Sequence, residues 1–119
     1  MRPTSFSVLT VCAAILWGTA PALAHVHLDS STPRSGSTIS PPTEIVMRFS
    51  GPIISRASTI KLVDARGGEV TVGIIPSGNT EILARPGHPL AVGIYRLTWR
   101  AAGENDGHRM SGNISFTVK

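Results

Sequence analysis

Ile94-Tyr95-Arg96-Leu97-Thr98-Trp99-Arg100-Ala101 is the stretch that decides the fold. From Tyr95 onward apolar and polar residues alternate strictly along it. In an extended chain, successive side chains leave opposite faces. Tyr95, Leu97 and Trp99 therefore belong to one apolar face, and Arg96, Thr98 and Arg100 to one polar face. This is the pattern of a strand with one side in a core and the other in water.

The same period recurs outward in both directions. Toward the carboxyl end, Asn113-Ile114-Ser115-Phe116-Thr117-Val118 places Ile114, Phe116 and Val118 inward. Toward the amino end, Glu44–Phe49 places Ile45, Met47 and Phe49 on one face, and Thr59–Asp64 turns Ile60 and Leu62 inward. Ala65-Arg66-Gly67-Gly68 is a turn signal, so Val70–Ile75 reads as the hairpin partner of that strand. Glu81–Ala84 and Val26-His27-Leu28 complete the set. Connectors rich in Pro, Gly and Ser separate them: Ser31–Pro42, Ser50–Ser55, Pro76–Asn79 and Arg85–Pro89. About seven short strands at this spacing, with no helical periodicity and no repeat, predict an all-β Greek-key sandwich or small barrel.

Residues 1–24, MRPTSFSVLTVCAAILWGTAPALA, break the pattern. Arg2 supplies a positive start, Val8–Trp17 an apolar stretch, and Ala22-Leu23-Ala24 a small-residue cleavage site. The segment reads as an export signal cleaved after Ala24. The apolar stretch is too short for a membrane span of roughly 20 residues, and residues 25–119 contain no such span either. Removing 24 of the 119 residues leaves 95, beginning at His25, without Cys12 and with Trp99 as the one tryptophan. The mature domain thus has no disulfide, although it is destined for a compartment where disulfides form.

Charge excludes less than it suggests. The pI is near 10.2 and the net charge +4. In residues 25–119 ten cations face seven acids, and the cations alternate with apolar residues along strands. That dispersion reads as a solvated basic surface rather than a nucleic-acid footprint, and export removes nucleic acid as a partner.

Chemistry concentrates at two places. His25 becomes the amino-terminal residue on cleavage. Its amine, with a pKa of roughly 7.7–8.0, and its Nδ1 can close a chelate ring on one metal ion at neutral pH. The second place is Glu104-Asn105-Asp106-Gly107-His108, between the last two strands. Asp106 and His108 are two apart, so extended backbone would turn both to one side. Amine, two imidazoles and one carboxylate form an N,O donor set without thiolate. In tetragonal geometry this suits Cu(II), while Zn(II) and Ni(II) also accept such donors. The lack of cysteine argues against a blue-copper electron-transfer centre.

His27 makes a third candidate. NH₂-His25-Val26-His27 can wrap Cu(II) in a plane through the amine, two deprotonated amides and the His27 ring. A Val26 amide committed to sheet pairing would oppose that wrap, which leaves His27 as a nearby or secondary ligand. His88, within Pro86-Gly87-His88-Pro89, reads as a plain loop histidine.

Taken together, His25-Val26-His27-Leu28, Ser30-Ser31-Thr32-Pro33, Arg48-Phe49-Ser50, Leu90–Arg100, Asp106-Gly107-His108 and Ser111–Val118 resemble the CopC family of periplasmic copper-resistance proteins. The resemblance covers essentially all of residues 25–119. It implies an Ig-like Greek-key β-barrel holding one Cu(II) per chain through His25, Asp106 and His108. It further implies a monomeric periplasmic carrier or buffer in copper homeostasis and no enzymatic activity. Some members are fused to, or work beside, a membrane copper protein; here such a partner would be a separate inner-membrane protein. Two departures stand out. Members with a Met-rich loop bind Cu(I), whereas residues 25–119 contain only Met47 and Met110, and Met47 falls on an apolar strand face. Other members carry Glu after the Phe-Ser pair, where this chain has Gly51.

Two other functions compete. A terminal histidine chelating copper beside a second histidine also resembles oxidative polysaccharide-cleaving enzymes. Against it, a carboxylate would crowd the oxygen position, and residues 25–119 offer few aromatics for a substrate platform. A purely structural Ig-like interaction module would explain the strands and leave the histidine and Asp-x-His coincidence unexplained.

Overall fold

The computed structural model describes residues 25–119; the expected signal segment 1–24 lies outside them. Nine strands form two sheets. In chain order they are β1 (Leu28–Thr32), β2 (Thr38–Ile39), β3 (Ile45–Phe49), β4 (Thr59–Asp64), β5 (Glu69–Val70), β6 (Val72–Ser77), β7 (Glu81–Pro86), β8 (Gly93–Ala102) and β9 (Arg109–Val118). One sheet runs β1-β3-β7-β6 and the other β2-β9-β8-β4-β5. All pairings are antiparallel except β2 with β9.

The alternation read on β8 holds. Tyr95, Leu97, Trp99 and Ala101 are at most 6% exposed, and the arginines between them face solvent. Their partners across β9 are Phe116, Ile114, Gly112 and Met110. The opposite sheet contributes Ile45, Met47, Phe49, Ile82 and Ala84, so the core is the space between two apolar faces. Trp99 meets Phe49 edge-on at 5.4 Å, which joins the sheets, and Tyr95 stacks on Phe116 at 5.7 Å. Trp99 Nε1 is buried without a hydrogen-bond partner among the described residues, against Gly112, where a Cβ would come within 3.0 Å of it.

Three expectations need correction. The run Val70–Ile75 is not one strand paired with β4. Only Glu69 and Val70 pair there; after Thr71 the chain crosses to the other sheet and β6 pairs with β7. Alternation cannot reveal that step, because Val70 and Val72 both stay inward-leaning as the chain changes sheets. This split, with the two-residue β2, raises the expected seven strands to nine. The amino-terminal strand also begins later than expected. Val26 and His27 precede β1, whose pairing with β3 runs from Leu28 opposite Phe49 to Thr32 opposite Val46, with an irregularity between Leu28 and Ser30.

Candidate metal centre

One end of the sandwich gathers the candidate donors. β8 runs out at Ala102, and Gly103 forms an isolated bridge with Ile53. The next residues close a turn in which the Gly107 amide donates to the Gly103 carbonyl (3.0 Å) and the Gly103 amide to the His108 carbonyl (3.0 Å). The Glu104 amide donates to the Pro52 carbonyl at 2.9 Å, which ties the turn to the connector after β3. Asp106 and His108 are therefore joined by a tight turn, not by the extended backbone expected from their spacing. Gly107 sits at φ 65°, a left-handed conformation that glycine adopts without steric cost.

The amino-terminal segment lies across this turn. Val26 packs onto the core edge between two glycines: a Cβ on Gly51 would come within 3.1 Å of Val26 Cγ2, and one on Gly103 within 3.4 Å of it. A side chain at Gly51 would thus run into Val26. The same Cβ on Gly103 would meet Asp106 Oδ1 at 2.7 Å. Absent side chains at these positions let the chain start and the turn close on one another.

As a result His25 reaches residues more than eighty positions away. Its Nδ1 lies 3.2 Å from Asp106 Oδ2, and its ring lies 4.7 Å from the His108 ring, tilted by 37°. Asp106 Oδ1 accepts a hydrogen bond from the His108 amide at 2.9 Å. That backbone donor, together with the His25 and His108 rings, holds the Asp106 carboxyl below its ordinary value of 3.8, against a smaller opposing effect of desolvation. The sign follows directly. A depressed carboxylate contributes stability that is complete above 3.8 and is lost as pH falls through the lower folded value. A carboxyl ¹³C titration of the metal-free protein should give Asp106 a midpoint below the ordinary value of 3.8. A midpoint at or above that value would contradict the turn geometry.

The three predicted ligands are thus neighbours. They do not form a finished cage. Among the described residues no group of three or more His, Cys, Asp or Glu side chains is arranged as a metal site would arrange them. His25 Nδ1 and Asp106 Oδ2 face each other at 3.2 Å, a contact that a cation would replace, and the His25 and His108 rings lie 4.7 Å apart with a 37° tilt. The His25 and Asp106 side chains are 66% and 27% exposed, so ring rotation toward a cation meets little packing resistance. Two imidazoles and one pre-ionised carboxylate remain a suitable N,N,O set for Cu(II).

His27 takes other partners. Its amide donates to Ser50 Oγ at 3.0 Å, Nδ1 lies 3.2 Å from that oxygen, and Nε2 lies 2.9 Å from Asp29 Oδ1. The reason expected to oppose a planar wrap, a Val26 amide in sheet pairing, does not apply, because Val26 precedes β1. The engaged His27 amide and ring oppose it instead. Ser50 and Asp29 are partners that sequence reasoning missed. The His-x-Asp spacing on an exposed segment was the one available signal. His88 lies in the loop after β7 with Nδ1 2.9 Å from the Pro89 carbonyl oxygen, as a loop histidine should.

Comparison with known proteins identifies relatives of the chain as a whole. Residues 28–119 match the CopC domain family. The match starts at Leu28, so it includes Asp106 and His108 and leaves out His25. The chain is 33% identical to copper resistance protein C of Pseudomonas syringae pv. tomato, over 100% of this chain and 98% of that one. It is 32% identical to that of Xanthomonas campestris pv. juglandis over 99% and 97%. Among solved structures, PcoC, a methionine-rich copper resistance protein from Escherichia coli, superposes with a TM-score of 0.73 at 32% identity, covering 81% of this chain and 100% of that one. CopC from Methylosinus trichosporium OB3b does so with a TM-score of 0.74 at 28% identity, covering 80% and 94%.

Proposed function

This chain belongs to the CopC family, and from that premise we propose that it is an exported, periplasmic copper-resistance protein that binds one Cu(II) as a carrier or buffer. The observation that carries the reading is the approach of His25 to Asp106 and His108, more than eighty residues away in sequence. His25 and His108 supply imidazole nitrogen, Asp106 supplies a carboxylate, and cleavage after Ala24 would add the His25 amine. The turn orients Asp106 through the His108 amide, the kind of supporting hydrogen bond that fixes a metal ligand. His27, tied to Ser50 and Asp29, is a secondary ligand at most. The carboxylate beside His25 favours a closed binding site over the open coordination position an oxidase needs.

Methionine usage supports a single Cu(II) site. Met47 is 1% exposed in the core and Met110 packs against it, so neither forms part of an exposed thioether cluster for Cu(I).

The test is a Cu(II) titration of the exported protein, its amino end first verified by mass spectrometry. Trp99 fluorescence should quench to an endpoint of one copper per chain. Electron paramagnetic resonance should show a tetragonal centre with nitrogen couplings. Binding should weaken on acidification, because protons compete with the metal for its donors. A mature chain starting elsewhere than His25, or a spectrum without nitrogen couplings, would sink this ligand set. Ascorbate turnover well above that of free copper would instead argue for an enzyme.

A further inference from the structure

The outward face of the five-stranded sheet carries a regular line of unpaired cations. Register aligns the outward positions of this face in rows. Ile94 stands opposite Thr117 and that row carries no cation; in the next four, Arg96 stands opposite Val63 and Ser115, Thr98 opposite Lys61 and Asn113, Arg100 opposite Thr59 and Ser111, and the buried Ala102 opposite Arg109. Each of these four rows holds one cation, namely Arg96, Lys61, Arg100 and Arg109, and all four cations are exposed. Successive rows are two residues apart along β8, about 6.6 Å.

The two sheets differ in how their charges are settled. On the four-stranded sheet Arg48 pairs with Glu81 at 3.0 Å and Arg85 with Glu44 at 3.6 Å. Among the described residues, none of the four cations on the other sheet takes part in an ion pair. The one acid sharing their face is Glu69, opposite Val63 at the β5 edge. Between the cations stand Thr59, Thr98, Ser111 and Asn113, short side chains that donate and accept hydrogen bonds. The last two rows line an open cleft of about 600 Å³ with Arg100, Arg109, Thr59 and Ser111, directly before the turn that carries Asp106 and His108.

We propose that this face docks an extended acidic segment of a partner protein with carboxylates at alternate positions. The spacing decides for a polypeptide over a membrane. Same-face side chains in an extended strand repeat at roughly the 6.6 Å row interval, so each carboxylate of a segment laid along β8 meets a row with one cation, on β8 itself for Arg96 and Arg100 and one strand to either side for Lys61 and Arg109. A lipid surface has no such period, and peripheral membrane binding commonly adds apolar insertion. Here the exposed large apolar residues are Val92, just before β8, and Ile94, in the row beside Arg96 at the end away from the metal turn; the four cation-bearing rows hold neither. Those four rows stand on charge and register. A role in passing copper between proteins rests on the function proposed above.

The experiment measures fluorescence anisotropy of a labelled peptide of four Asp-Ser repeats with the copper-free exported protein. Binding should weaken with added salt. A peptide of the same composition with its four Asp contiguous should bind several-fold more weakly. Joint Lys61→Ser, Arg96→Ser and Arg100→Ser substitution should lower affinity at least about tenfold, since each close charge pair contributes separately. Joint Arg48→Ser, Arg66→Ser and Arg85→Ser substitution removes the same net charge elsewhere and should change affinity less than about twofold. Equal loss in both variants, equal binding of both peptides, or binding to phosphatidylglycerol vesicles without binding to the repeat peptide would overturn the proposal. These residues are exposed, and melting curves verify folding. The Lys61, Arg96 and Arg100 variant should still take up Cu(II) as the unaltered protein does. Failure of the unaltered protein to bind copper would reject the copper reading and leave the peptide result standing.

Discussion

His108→Ala is expected to weaken Cu(II) binding by at least about 100-fold, since loss of a supporting hydrogen bond alone typically lowers metal affinity 10–100-fold and a direct ligand contributes more. Asp106→Asn should act similarly in affinity and differently in structure. The asparagine side-chain oxygen can still accept the His108 amide bond that Asp106 Oδ1 now accepts at 2.9 Å. The turn would then persist while the anionic donor is lost. Competition against a chromophoric Cu(II) chelator reads the affinity, and melting of the metal-free variants reads the fold. Unchanged affinity in both variants would reject the ligand set, whatever the melting curves show. Loss of affinity together with loss of fold in Asp106→Asn would mean that the carboxylate acts on the turn rather than on the metal.

The largest loss of stability should come from Phe116→Ala. Phe116 is 2% exposed, stacks on Tyr95 and lies opposite it across β8 and β9. Truncating a buried phenylalanine costs about 3–5 kcal/mol through lost transfer energy and the cavity left behind. Native domains hold only about 5–15 kcal/mol in total, and this one has no disulfide among residues 25–119 to compensate. Ile94→Ser, on the same pair of strands but at a residue 57% exposed, should stay within about 0.5 kcal/mol. Urea unfolding followed by Trp99 fluorescence measures both. A Phe116→Ala midpoint equal to that of Ile94→Ser would mean that the two apolar faces are not packed as described.

The contrast between these two positions was legible before any coordinates, because a strand exposes its burial plan in its alternation. Met47, on an apolar strand face between Ile45 and Phe49, is buried as that alternation predicts. The same reasoning failed at Val70–Ile75. A crossing between sheets keeps apolar residues inward on both sides of the step, so nothing in the pattern distinguishes it from one continuous strand. It also failed at Asp106-Gly107-His108, where two-residue spacing suggested extended backbone. The glycine that permits extension equally permits the left-handed turn found there. For His27, the side-chain chemistry was visible, but its partner Ser50 stands 23 residues away, and no local pattern announces such a pairing.

By itself the sequence determined the all-β class, the inward and outward assignment of β3, β4, β8 and β9, and the kind of donors available for a metal. These follow from period and composition, which are local properties of the chain. Tertiary structure alone decided that His25 meets Asp106, that Val26 fits over two glycines to bring it there, and that four cations from three strands fall into line on one face. Those are matters of distance between residues far apart in the chain. Distance of that kind is set by sheet order and register, which bring together segments whose separation in sequence carries no information about their separation in space.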